Sequence, residues 1–393
     1  MVDFIPLLVI LLIVAALLRE DSVLLIFYLV GGIFLVGSWW SRYTLRQIQF
    51  RRSLPNRAFL GDTIPIHLEL YNPGRLPTLW VLIHDSLPLD LIAPNFFQQV
   101  TLLGPRDREV FDYHVNARKR GYYQVGPLYL ESGDLFGLVK ENHRQGPTDE
   151  LIVYPLIIPL SRIGLPTNSP FGTLRFHQPI FEDPTRVIGK REYLRGDSLR
   201  HVDWKSTAAS GQMLVKKFEP SIALEACIFL DLNQQAYDFR HHFDQTELAI
   251  VAAASIANWV IQKKQSIGLS TNGLDPLRAG SIPGLIPPHK GQGHLMDCLD
   301  LLARIQAAVT RPILEKIRSE SPLLAWGATV LVITGQLGSD LFDELLQAQR
   351  RGLSVSVLLA GSAPGLDESR KKASHYGIQV HQVAFQGDLE MWR

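Results

Sequence analysis

Two long apolar runs at the start of the chain constrain its folding more than any other feature. Residues 4–18 are almost wholly apolar, and after Arg19-Glu20-Asp21 a second apolar run covers residues 23–40. A helix needs roughly 17 to 25 apolar residues to cross a bilayer, so the second run suffices and the first stands at the short limit. The pattern predicts a transmembrane helical hairpin over residues 1–45, with lipid contact through residues 4–40. Trp39, Trp40 and Tyr43 stand where an interfacial aromatic belt forms. Arg42, Arg46, Arg51, Arg52 and Arg57 follow within the distance over which positive charge sets topology. The expectation is a two-pass protein of the inner or plasma membrane with its C-terminal domains cytoplasmic. A cleaved signal peptide fits poorly, because no basic region precedes the first run and another apolar run follows at once. A buried hairpin in a soluble protein is the other alternative, although nothing else in the chain has a matching, all-round apolar surface.

With 393 residues, the chain is too long for one ordinary domain of roughly 150 residues. Its 46% hydrophobic and 20% charged residues describe a globular protein and exclude wholesale disorder. The 39 basic and 38 acidic side chains nearly cancel, which excludes a nucleic-acid binder working through bulk positive charge and leaves only a local basic patch open. Cys227 and Cys298 have apolar neighbours and no Cys-x-x-Cys spacing, so they read as core thiols and not as a disulfide or a zinc site.

Residues 46–155 change to short alternating runs, such as Ile64-Pro65-Ile66-His67-Leu68-Glu69-Leu70, which bury one face at period two. Asn72-Pro73-Gly74 and Arg120-Gly121 supply turn chemistry, and the spacing predicts an antiparallel, immunoglobulin-like β-sandwich. His67, His84 and His114 fall singly on these strands and read as surface residues. Residues 156–185 carry repeated Pro and Gly, including Leu165-Pro166-Thr167-Asn168-Ser169-Pro170, and read as a linker or crossing segment.

Residues 186–393 form the last domain. Strand-like runs at 226–230, 267–270, 329–333, 354–359 and 378–383 alternate with helical stretches near 245–265, 295–309, 339–351 and 368–376. The alternation predicts an α/β domain with a mainly parallel sheet. Ligands of such sheets sit beyond the carboxyl ends of the strands, which directs attention to Asp231-Leu232-Asn233-Gln234-Gln235 and Thr334-Gly335-Gln336.

The segment Gly189-Lys190-Arg191-Glu192-Tyr193-Leu194-Arg195-Gly196-Asp197-Ser198-Leu199-Arg200-His201-Val202-Asp203-Trp204-Lys205 closely resembles the signature of the bacterial family known as domain of unknown function 58. Arg120-Gly121-Tyr122, Gly126-Pro127 and Asp134-Leu135-Phe136-Gly137-Leu138 resemble that family's sandwich-end motif. The resemblance implies a membrane hairpin, a sandwich and a C-terminal von Willebrand factor A-like domain. It also implies a partner, a MoxR-type ATPase of the AAA+ superfamily, and hence an adaptor role in protein remodelling or complex assembly. Von Willebrand-type domains hold a divalent cation with Asp-x-Ser-x-Ser after the first strand, helped by a Thr and an Asp from other loops. The equivalents here are Asp231, Asn233, Gln235 and Thr334, where two hydroxyls have become amides and Thr334-Gly335-Gln336 replaces an Asp-Gly pair. One carboxylate leaves too little charge for a strong magnesium or calcium site, so no cofactor is expected. Ala209 also departs from the family's usual Arg after Asp-Trp-Lys.

The charged signature has three readings. As an interaction surface, Arg191, Glu192, Tyr193, Gly196, Asp197, Arg200, Asp203, Trp204 and Lys205 offer the arginine and aromatic chemistry enriched at binding hot spots. As an active site of a membrane-associated enzyme, Glu192 or Asp203 would be the general base, with Lys205 or Arg200 steadying an anion. As architecture, the charges would pair and pin an irregular segment, with Trp204 buried as an anchor. Ser198, His201 and Asp203 lie too close in sequence for a nucleophilic triad, and no nucleophile elbow surrounds the serine. The histidines lack zinc spacing, and Lys290-Gly291-Gln292-Gly293 lacks the pattern that cradles phosphates. The expectation is a non-enzymatic, membrane-anchored interaction protein.

Overall fold

The computed structural model describes residues 5–18, 21–91, 96–133, 140–160, 182–193, 202–220, 225–361 and 366–390. They form two compact units, Met1–Leu156 with Leu299–Ile305, and Ile157–Cys298 with Gln306–Arg393.

The first unit begins with helices α1 (Ile5–Leu18) and α2 (Asp21–Gln47), which pack on each other. At 1.5 Å per residue, a 30 Å hydrocarbon core takes about 20 residues, and α2 with 27 exceeds this while α1 with 14 falls short. Among the described residues α2 is the helix long and apolar enough to cross a membrane. Leu25, Ile26, Leu29, Leu35 and Val36 are exposed along it, whereas Ser38, Ser41, Thr44 and Leu45 near its end are buried. This burial follows from packing against the strands that come next.

Those strands are β1 (Gln49–Ser53), β2 (Arg57–Phe59), β3 (Thr63–Tyr71), β4 (Thr78–Ser86), β5 (Phe96–Leu103), β6 (Arg108–Asn116), β7 (Gly121–Val125), β8 (Leu128–Gly133), β9 (Lys140–Gln145) and β10 (Asp149–Tyr154). They make sheets of order β1-β3-β6, β2-β10-β7 and β5-β4-β8-β9. Alternation in β3 puts Ile64, Ile66, Leu68 and Leu70 into one core with Val81, Ile83, Val115, Leu128, Leu130, Leu151 and Val153. The antiparallel expectation fails at one place. The three-residue β2 runs parallel to β10, Arg57 beside Ile152, and closes that strand's free edge. Arg120 ends within this unit as well, its Nη1 donating to the carbonyls of Leu302, Ala303 and Ile305 at 2.9–3.0 Å.

The second unit holds β11 (Glu182–Glu192), α3 (Trp204–Ser210), β12 (Leu214–Pro220), β13 (Glu225–Leu230), α4 (His242–Gln262), β14 (Ser266–Thr271), β15 (Ile286–His289), α5 (Gln292–Arg304), α6 (Ile313–Glu320), β16 (Thr329–Thr334), α7 (Ser339–Arg350), β17 (Ser354–Ala360), α8 (Leu366–His375), β18 (Gln379–Val383) and α9 (Gln386–Glu390), with the last turns of α5 grouped in the first unit. β11 and β12 form an antiparallel ribbon, and the main sheet has the order β15-β14-β13-β16-β17-β18. All its pairings are parallel except β14 with β15. Cys227, Phe229, Val330, Val332, Val355 and Val357 pack on Ile313, Ile317, Leu341, Phe342 and Leu345 of α6 and α7. Ile228, Leu230, Leu331 and Ile333 alternate onto the opposite face, and α4 packs on these same strands. Cys227 and Cys298 are buried thiols, and burial pushes Cys298 up to about 12.

The helix expected over 295–309 ends at Arg304, because Leu274 N–H donates to Gln306 C=O and Ala308 N–H donates to Leu232 C=O. Most of the expected linker, residues 161–181, lies outside the described residues.

Candidate functional site

β13 and β16 are neighbours, but the chain leaves them in opposite directions, toward β14 and toward β17. The region beyond the carboxyl ends of two strands that diverge in this way is where open α/β sheets bind ligands. Asp231 follows β13 there and Thr334 ends β16, with Asp231 N–H donating to Ile333 C=O at 2.8 Å.

The Asp231 carboxylate is buried and receives three donors. Asn272 Nδ2 (2.8 Å) and Asn233 N–H (3.1 Å) reach Oδ1, and Thr334 Oγ1 (2.9 Å) reaches Oδ2. Burial pushes the carboxyl above its ordinary value, against the opposing pull of these hydrogen bonds. Asn233 spends its own side-chain oxygen on Gln235 N–H at 3.2 Å, capping a short 3-10 turn. The Gln235 side chain is exposed, so the structure joins Asp231, Asn233 and Thr334 but leaves Gln235 to contribute backbone only.

Asn272 completes the cluster, and no local spacing pointed to it. It follows β14, the strand beside β13, and its oxygen accepts from Leu232 N–H at 2.7 Å while its amide also donates to Arg311 C=O at 2.9 Å. These partners fix the amide with nitrogen toward Asp231. A hard cation needs converging oxygens, whereas this arrangement turns N–H and O–H groups onto the one carboxylate. The donor set does not fit a magnesium or calcium ion. Among the described residues no group of three or more His, Cys, Asp or Glu side chains could share a metal ion.

The signature segment builds a different kind of site. Tyr193 N–H donates to Met213 C=O (2.9 Å) and Asp203 N–H to Leu214 C=O (2.8 Å), which brings its two ends onto the start of β12. Asp203 caps α3, accepting from Ser206 N–H at 3.2 Å, and its other oxygen meets Lys190 Nζ at 2.8 Å. Lys190 and the cap together hold the Asp203 carboxyl down to about 2. A general base works best near the operating pH, so this arrangement makes Asp203 a fixed anion and a helix cap.

Trp204 departs from the buried-anchor expectation. It is 62% exposed on the first turn of α3, because Asp203 sets that turn and the helix packs on β12 through its other side. Glu192 and Lys205 are also exposed, Tyr193 is half-buried, and Arg191 lies in β11 with its backbone opposite Val215. Gly196, Asp197 and Arg200, with Ser198 and His201, lie outside the described residues.

A cleft of about 690 Å³ lies beside the N-terminus of α4, lined by Asp238, His241, Asp244, Gln245, Gly361 and Phe385 among others. Asp238 accepts from Arg240 N–H at 2.8 Å and faces His241 at 3.6 Å, which lowers its carboxyl below the ordinary value. Sequence reading missed this cleft, although three acids between Asp238 and Glu247 mark one wall.

Comparison with known proteins gives a family match over part of the chain: residues 189–362 match the family described as "Protein of unknown function DUF58". Over 352 residues the chain is 25% identical to the uncharacterised protein YeaD of Bacillus subtilis, covering 85% of this chain and 81% of that one. Among solved structures, the CARDB domain of a Pyrococcus furiosus protein aligns with 27% of this chain and 86% of its own at 13% identity and a TM-score of 0.21. A β-glucosidase from Listeria innocua aligns with 27% of this chain and 16% of its own, at 10% identity and a TM-score of 0.19.

Proposed function

We propose that this chain is a membrane-anchored interaction protein whose α3 face, centred on Trp204 and Lys205, docks a protein partner. The observation that carries the reading is the exposed Trp204 on a segment whose polar groups, Lys190 and Asp203, are already committed to each other. An indole on a rigid support loses little entropy on binding, and tryptophan dominates hot spots.

On this reading α1 and α2 form a two-pass anchor in the inner or plasma membrane, and the sandwich and the second unit are cytoplasmic. The arginines that follow Trp40 support that topology. The second unit is a von Willebrand factor A-like domain. Support comes from its sheet, which runs third, second, first, fourth, fifth, sixth in chain order from β13, with the third strand, β15, antiparallel. The partner is an AAA+ ATPase of the MoxR type, by the resemblance of the signature, and the role is adaptor in remodelling or assembly.

Crosslinking and purification of the full chain from its native membrane, with and without ATP, tests this. Wild type recovers an AAA+ ATPase, and the double variant Trp204→Ala, Lys205→Ala, shown to melt at the same temperature, loses at least about thirtyfold of the capture, the effect of a strong hot spot. Equal capture by both proteins defeats the α3 face as the docking surface. The rival enzymatic reading forecasts that Glu192→Gln abolishes a turnover while leaving the ATPase bound.

A further inference from the structure

The first unit passes from membrane helix to sandwich without a linker, since Gln47 ends α2 and Gln49 begins β1. Trp40 Nε1 donates to Pro77 C=O at 2.9 Å, and Gly74 lies so close to the Gln47 side chain that a Cβ there would meet Oε1 at 2.2 Å. The loop over residues 72–77 is therefore held alongside α2 between the levels of Trp40 and Gln47. Those levels are about 10 Å apart along a helix. Trp39 and Tyr43 stack at 5.4 Å just where the apolar surface of α2 ends.

A second loop is stitched onto the first. Arg106 N–H donates to Gly74 C=O (3.2 Å), Asn72 N–H to Asp107 C=O (3.0 Å) and Asn72 Nδ2 to Gly104 C=O (2.9 Å). Each loop presents one exposed arginine, Arg75 and Arg106, and among the described residues neither guanidinium has an ion-pair partner. The nearby acids are occupied: Asp107 accepts from Gly104 and Arg108 N–H groups of its own turn, and Glu69 holds Arg108 at 2.9 Å. Arg106 has φ of 56°, a left-handed conformation in which glycine or asparagine is the ordinary choice. A long cation there is kept at a backbone cost.

We propose that Arg75 and Arg106 bind the anionic phospholipid headgroups of the bilayer that α2 crosses, seating the sandwich on the membrane surface. The inference rests on the membrane reading of α2. Guanidinium forks match phosphate oxygens, and the patch lies within about a Debye length of the headgroup level.

The test extracts the full chain from vesicles of equal parts phosphatidylcholine and phosphatidylglycerol and measures retained lipid by native mass spectrometry. Wild type retains phosphatidylglycerol preferentially. Arg75→Ala and Arg106→Ala each lower that preference about fivefold, and Arg75→Lys restores most of it. An unchanged preference in the double alanine variant overturns the proposal. Alkaline carbonate extraction separates two failures. A chain released to the supernatant defeats the membrane reading and this inference with it, whereas a chain that stays in the pellet without lipid preference defeats this inference alone.

Discussion

Arg52 and Asp85 meet inside the sandwich as a buried ion pair, 2.6 Å apart, with side chains 4% and 0% exposed. The guanidinium also holds Asp149 at 2.7 Å and the carbonyls of Val125 and Pro147 at 2.8 and 3.0 Å, while Tyr113 donates its hydroxyl to Asp85. Burial and then the anion beside it push the Tyr113 phenol upward, so it stays a donor. Gly126 at φ 104° lets the backbone approach, since a Cβ would lie 2.8 Å from Arg52 Nη2. This network holds the Arg52 guanidinium inside the folded sandwich.

Removing one partner leaves the other charge buried and unpaired. Arg52→Met is expected to destabilise the first unit by about 3–5 kcal/mol, whereas Arg52→Met combined with Asp85→Leu recovers much of the loss. Urea unfolding of the full chain in detergent, followed by tryptophan fluorescence, measures both. A single-variant loss of less than about 0.5 kcal/mol, the usual surface value, would show the pair to be unimportant.

What the sequence disclosed follows from how local each signal is. Alternation in Ile64 to Leu70 and the continuous apolar run of Thr329 to Thr334 are set by neighbouring residues, and both became strands. Asp231 was legible because it follows a buried strand directly. Asn272 was not, because its approach to Asp231 depends on β14 lying beside β13, a pairing between residues about forty positions apart. β15 was hidden by Pro287 and Pro288, which an edge strand tolerates because it needs no donor on its free side. Trp204 misled in the other direction: its apolar type favours burial, but the cap at Asp203 fixes a helix start that turns it outward.

Asp203 supports the signature ribbon through its charge and through its cap, and the two can be separated. Its carboxyl is held to about 2, below the unfolded value, so it contributes stability above pH 4 that is lost as pH falls from 4 toward 2. Asp203→Asn keeps the cap and removes this acid limb. Asp203→Ala removes both and is expected to melt lower than Asp203→Asn at neutral pH. Thermal melts between pH 2 and 7 read the difference, and superimposable acid limbs for wild type and Asp203→Asn would exclude the Lys190 pairing as the cause.

Asp231 poses the opposite case, an acid that burial pushes upward. The folded state then binds its proton more readily than the unfolded chain, so stability declines as pH rises through the interval above the ordinary carboxyl value. Asp231→Asn removes that decline. It can keep an oxygen toward Asn272 and Asn233 while its amide donates to the Thr334 hydroxyl, whereas Asp231→Ala strands all three buried donors and costs about 1–3 kcal/mol more. Gly335 backs the same loop, where a Cβ would meet Ala236 C=O at 2.3 Å and the Tyr237 ring at 2.5 Å, and Tyr237 donates to Asp231 C=O at 2.5 Å. Gly335→Ala is therefore expected to lose about 1–3 kcal/mol by overpacking. Because donors already fill the Asp231 oxygens, millimolar magnesium or calcium leaves the melting temperature unchanged. A cation bound at a hundred times its Kd would add about 2.7 kcal/mol, so a clear upward shift that disappears in Asp231→Asn would establish a cation site in place of a hydrogen-bonded one.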